Sequence, residues 1–161
     1  MTIQYPFVRK LYDAFQSGEV DRWDALVAEE VLVNSTMGRN IHGRDALKSW
    51  ATQFIEALQS RIDLVDEFEA IDETGNGRGF FTVCLHWKHA QEFMGMQPTG
   101  REGTSIETMI LTIQDGKVRR WDVADNTVEI NIYFWERGWP IPHNVHPEII
   151  AKGIERHPQR S

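Results

Sequence analysis

The chain has one cysteine, Cys84, in 161 residues, so no disulfide can form within it. Cys84 lies in an apolar run and reads as a small buried hydrophobe. Basic residues are scattered and outnumbered, 17 Lys and Arg against 24 acids, for a net charge of −7. Without a basic block, neither nucleic acid nor an anionic membrane surface is expected as a partner. No apolar run approaches the roughly 20 residues of a membrane span. Met1 to Arg9 lacks the apolar core of a signal peptide, so a cytoplasmic location is the default expectation. Gly75, Gly77 and Gly79 lack the strand, helix and Lys of a phosphate-binding loop. No elbow motif surrounds a nucleophilic serine or cysteine. His143 and His146 are three apart, but Pro142 and Pro147 flank them and no third ligand is near in sequence, so no metal is expected. No repeat or low-complexity linker divides the chain.

Large rings, by contrast, are plentiful: 6 Trp and 8 Phe, within a 41% hydrophobic composition. That is enough for one domain with a proper core, or for a core that lines an apolar cavity. Val8, Leu11, Tyr12 and Phe15 share one face of a helix predicted over Tyr5 to Ser17, which Gly18 ends. Asp21 is placed to cap a short second helix with Trp23, Leu26 and Val27 inward. Val31 to Asn34 reads as extended and Ser35 to Gly43 as a loop. The strongest helical pattern runs from Asp45 to about Gln59 and carries Leu47, Trp50, Ala51, Phe54 and Leu58. Beyond Ser60 the period changes to two. Ile62, Leu64, Phe68 and Ala70 alternate with Asp63, Glu67 and Glu69, the pattern of a strand with one wet face.

A turn at Glu73 to Arg78 leads to a strand from Phe80 to His89, apolar on both faces. The loop that follows contains Gly95, Pro98 and Gly100. Two further strands, Thr104 to Ile113 and a partner ending at Asp125, meet at Asp115-Gly116, a strong hairpin signal. Asn126 and Glu129 have capping-box spacing for a short helix to about Arg137, stopped at Gly138. Trp139-Pro140-Ile141-Pro142 must be extended, and Pro147 suits the start of a last helix. Helices followed by four consecutive antiparallel strands predict an α+β fold.

The loop Glu92 to Arg101, with Gly95 followed by Pro98-Thr99-Gly100-Arg101, resembles that of the SnoaL-like polyketide cyclases, within the nuclear-transport-factor-like superfamily. His89 stands where that family has the His of a Gly-Thr-His triplet, although Trp87 and Lys88 precede it here. Asp115 to Val118 and Trp121 to Asp125 resemble the family's closing strands, and Ile41 to Ala46 its approach to a helix. The resemblance spans about residues 5–137 and leaves 138–161 as an extension of a single domain. It implies a cone-shaped curved antiparallel sheet, three N-terminal helices and an enclosed cavity. It also implies a small apolar molecule as partner, a homodimer, and chemistry without a cofactor.

An acid on an apolar strand is costly unless it is paired, neutralised or used. Ser105, Glu107, Met109 and Leu111 share one strand face. If that face is the inner one, burial raises the carboxyl pKa and suits Glu107 to proton transfer. If it is the outer one, Glu107 is a surface acid or pairs with Arg119 across the hairpin. Asp125 matches a family acid that in hydrolase relatives holds a water, and it would equally cap the following helix. His89 agrees with the family and shares parity with Trp87 and Leu85; its free pKa suits proton transfer or carbonyl polarisation. His86 has the opposite parity. Asn34 stands where relatives place a polar cavity residue and could orient a water or substrate oxygen; it would be equally ordinary as a turn residue before Ser35. Trp50, Phe54, Trp87, Met94, Met109 and Trp121 are candidate walls. Cyclisation or isomerisation of a carbonyl compound is the leading expectation. Epoxide hydrolysis, dehydration and plain ligand binding are the alternatives.

Overall fold

The computed structural model describes residues 7–35, 39–125 and 129–138. Helix α1 (Phe7–Ser17) leads through a 3₁₀ turn (Val20–Ala25) into strand β1 (Val27–Ser35) and strand β2 (Arg39–His42). Helix α2 (Arg44–Ala57) follows. Strands β3 (Arg61–Ile71), β4 (Gly77–Lys88), β5 (Glu102–Gln114) and β6 (Lys117–Asp125) come next, and α3 (Glu129–Trp135) closes the described chain. The strands form one unclosed sheet in the order β2-β1-β6-β5-β4-β3. As expected, β3 to β6 make an antiparallel meander.

The sequence reading missed part of this. Val27 belongs to a strand, not to a second helix, and β1 runs parallel to β6. The predicted loop at 35–43 contains β2, paired antiparallel with β1. The second helix is a 3₁₀ turn preceded by Glu19, which makes no side-chain cap bond. Asp21 instead pairs with Lys48 of α2 at 2.6 Å. The Asn126 cap, the extended Trp139 to Pro142 run and the helix after Pro147 lie outside the described residues.

The largest departure sits in β3. A bulge at Val65 shifts the register, so Leu64 opposes Val83 but Asp66 opposes Thr82. An extra residue reverses which side every later residue faces. Phe68 therefore turns outward, 57% exposed and stacked on Phe80. Glu67 and Glu69, expected on the wet face, turn toward α1. Glu67 accepts from the Arg9 guanidinium, and Glu69 Oε2 accepts from the Val8 backbone N–H at 3.0 Å. A carboxylate thus meets the unsatisfied donors and positive end of α1.

Alternation elsewhere holds. Phe81, Val83, Leu85 and Trp87 of β4 are buried on one face. Ser105, Glu107, Leu111 and Ile113 of β5 are buried on the matching face. The β5–β6 hairpin turns at Asp115 and Gly116, with φ of 51° and 73°. That is the left-handed pair that a two-residue hairpin requires. A bulge between Thr112 and Ile113 precedes the turn, with Arg119 as the extra residue of β6. Arg119 pairs with Glu30 of β1, away from Glu107.

Candidate active site

A cavity opens between the inner sheet face and the helices. Trp23 of the 3₁₀ turn, Trp50 and Phe54 of α2, Met109 of β5 and Trp121 of β6 contribute walls. Phe54 and Trp50 stack at 5.0 Å, and Trp121 meets the edges of Trp23 and Phe81 at 5.5 and 5.9 Å. Trp23 Nε1 donates to the Leu11 carbonyl at 3.2 Å, which ties the 3₁₀ turn to α1. Glu107 is the carboxylate in this wall of aliphatic and aromatic side chains, and it is 5% exposed. The inner-face reading of Glu107 holds, because the β4–β5 register places it opposite Val83. A charged carboxylate there costs several kcal/mol to desolvate, a cost that apolar packing alone would avoid.

The cavity is narrow, with a volume of about 50 Å³. An apolar cavity that takes benzene has roughly 150 Å³, so a ligand of one ring or more must push the walls apart. Trp50 and Met109 are only half-buried, leaving these two side chains room to give.

The other expected residues fall in different places. Asn34 follows cavity-lining Val33 and points to the opposite side, where its Nδ2 donates to Asp122 Oδ1 at 2.6 Å. Burial pushes the Asp122 carboxyl up, but hydrogen bonds from Arg120 and Asn34 outweigh this and hold it below the usual range. Asp125 lies opposite Glu107 in the β5–β6 ladder; its side chain is outside the description. His86 faces out and hydrogen-bonds Asp63 at 2.8 Å. Trp87 is buried but lines a separate outer groove with His86. Met94 is 49% exposed at the tip of a turn whose flanks, Phe93 and Met96, are the buried ones.

His89 is fully buried and does not line the cavity. Its Nδ1 meets Tyr133 Oη of α3 at 2.8 Å, and the same hydroxyl meets Thr99 Oγ1. Desolvation lowers the imidazole pKa, and the nearby Arg137 charge acts in the same direction. The backbone of His89 also closes its loop, donating to the Arg101 carbonyl at 2.9 Å and accepting from Gly100 at 2.8 Å. Tyr133 was invisible to the sequence reading, which saw only a short helix there. Trp23 was read as core filling, since helical spacing does not distinguish a core face from a cavity face.

A curved sheet whose helices cover an apolar cavity with a buried carboxylate has the form that small-molecule sites commonly take. The sequence model of the SnoaL-like polyketide cyclases matches residues 7–129, and the chain belongs to that family. It is 25% identical over 151 residues to aklanonic acid methyl ester cyclase DnrD of Streptomyces peucetius, covering 91% of this chain and 100% of the relative. Its fold is similar to a protein from Jannaschia sp. assigned as a SnoaL-like polyketide cyclase, with a TM-score of 0.63 at 12% identity over 87% of this chain and 100% of that one. A SnoaL-like polyketide cyclase from Agrobacterium tumefaciens gives 0.57 at 18% identity, over 80% and 94%. No helix among the described residues is long and apolar enough to cross a membrane.

Proposed function

We propose that the protein catalyses an intramolecular aldol-type ring closure of a polyketide-like ester or ketone, with Glu107 as the proton shuttle. The observation that carries this is a nearly water-free carboxylate in an otherwise apolar cavity wall. Glu107 takes a proton from carbon lying between two carbonyls. The resulting enolate carbon attacks a further carbonyl of the same folded molecule and forms the C–C bond. The alkoxide then takes the proton back from Glu107. Nothing is oxidised and nothing leaves, so the step balances without a cofactor. The apolar walls contribute by holding the two reacting carbons together.

His89 acts at one remove in this proposal, by fixing Tyr133 and hence α3. Isomerisation would use the same carboxylate on another substrate. Epoxide hydrolysis with Asn34, Asp125 and Glu107 around one water is not favoured, since Asn34 is committed to Asp122. A plain binding module would not need a carboxyl group inside its cavity. The homodimer implied by the family resemblance belongs to the same proposal, and sedimentation at micromolar concentration tests it.

Aklanonic acid methyl ester, named for the relative, is the first substrate to try. Glu107→Gln keeps the shape and removes the base. Turnover should fall by about 10²- to 10⁴-fold with an unchanged circular dichroism spectrum. A variant as fast as the parent rejects the role.

A further inference from the structure

Helix α3 comes after β6 in the chain and packs on β5. It is buried nearly all round, and one of its buried residues is polar: Asn131 is 1% exposed, yet neither its Oδ1 nor its Nδ2 has a hydrogen-bond partner. Leaving a buried amide unpaired forfeits the water hydrogen bonds of both its polar groups with nothing in return. A leucine would fill the same space without that cost, so the amide needs another reason to be there.

The helix geometry says which way it faces. Glu129 and Tyr133 lie on the side that covers the β4–β5 end. Glu129 Oε1 is 2.9 Å from where a Cβ on Gly103 would sit, and Tyr133 packs on Trp87 at 5.2 Å between ring centres. At 3.6 residues per turn, Asn131 projects from the opposite side and shares a face with Phe134, three residues on. Phe134 contacts Phe93 at 5.8 Å, Phe93 contacts Phe54 at 5.9 Å, and Phe54 lines the cavity. A second orphan supports the same direction. Ser105, on the cavity face of β5 and two residues before Glu107, is 1% exposed, and its Oγ is also unpaired.

Asn131 does not line the cavity as it stands, being set behind Phe134 and Phe93; we propose that it is the substrate-reading residue once a bound molecule spreads that aromatic wall. Its amide hydrogen-bonds a carbonyl or hydroxyl oxygen of the bound molecule, and this fixes which carbon faces Glu107. The proposal rests on the cavity being the substrate site, but not on the reaction assigned to it. Asn131 then selects for an oxygen function at one end of an apolar ligand.

Acetophenone and ethylbenzene test it, since they differ at one carbon and binding of either is read from quenching of Trp23, Trp50 and Trp121. In an all-apolar cavity the ketone loses its water hydrogen bonds and ethylbenzene is preferred. The wild-type protein should bind acetophenone at least as tightly as ethylbenzene. Asn131→Leu should shift the ratio of the two dissociation constants about tenfold toward ethylbenzene, the weight of one hydrogen bond to a buried group. The ratio is taken within one variant, so a change in stability cancels. Asn131→Ala should give the same shift and replaces Asn131→Leu if that variant fails to fold. An unchanged ratio overturns the proposal alone. Failure of the wild-type protein to bind either compound overturns it together with the cavity reading.

Discussion

At the scale of single residues, His89 and Glu107 show how differently burial can be used. Both side chains lie among aromatic and aliphatic groups, but only Glu107 reaches the cavity. His89 is spent on structure, joining the loop that ends at Arg101 to Tyr133. Its lowered pKa has a consequence for stability. The unfolded imidazole binds a proton near 6.5 and the folded one binds it at lower pH. Stability is therefore full above about pH 6.5 and is lost as pH falls from there through the folded value. Thermal unfolding between pH 8 and 5 should show this decline. His89→Gln should unfold at a lower temperature at pH 8 and show a shallower loss below pH 6.5. Parallel curves for the two proteins would remove His89 as the source.

Residue parity in β5 was fully readable: Ser105, Glu107, Met109 and Leu111 share a face as the period of two requires. Which face it was could not be read, because both sides of β4 and β5 are rich in apolar and β-branched residues. Asn34 failed for a related reason. A polar residue at a strand end reads the same whether it faces a cavity or, as here, an aspartate on the neighbouring strand.

At the scale of elements, helices α1 and α2 and the antiparallel meander were legible because their apolar periods are strong. The β3 bulge was not. Val65 is an ordinary strand residue, and only the tertiary gain from pairing Glu67 and Glu69 with α1 explains the slip at that point. The parallel β1–β6 pairing was equally hidden, since its partners are about 90 residues apart, as in Asn34 with Asp122. Gly103 leaves room for the Trp87 ring, on which Tyr133 of α3 packs. A Cβ on Gly103 would lie 2.5 Å from the Trp87 ring and 2.9 Å from Glu129 Oε1. The Glu129 carboxylate can swing aside, but the Trp87 ring is buried and Tyr133 of α3 packs on it, so Gly103→Ala should loosen α3 by displacing that ring, at a cost of about 1–3 kcal/mol. Hydrogen exchange of the α3 amides should speed up well before that of β4. Unchanged protection of α3 in the variant would show that the contact is not what holds the helix.

At the scale of the whole molecule, the cavity is built by α1, the 3₁₀ turn, α2 and all six strands, so whatever occupies it bridges elements far apart in sequence. A ligand that binds only the folded state adds stability according to its concentration. At 100 times its dissociation constant the gain is about 2.7 kcal/mol. For a chain of this size that raises the unfolding midpoint by roughly 5–10 °C. Scanning calorimetry with saturating acetophenone should show the shift. A midpoint that stays in place would mean that the small molecule sits on the surface or nowhere.

The ladder between β4 and β5 runs without a slip from Gly77–Ile113 to Lys88–Glu102, and Glu107 lies near its middle. Much of the surrounding mould comes from elsewhere, from side chains on α2, the 3₁₀ turn and β6. Substitutions at Trp50, Trp23 or Val123 can therefore reshape what fits inside while the acid keeps its coordinates. Under the reaction proposed for Glu107, a scaffold arranged this way lets substrate choice drift over generations without rebuilding the chemical tool.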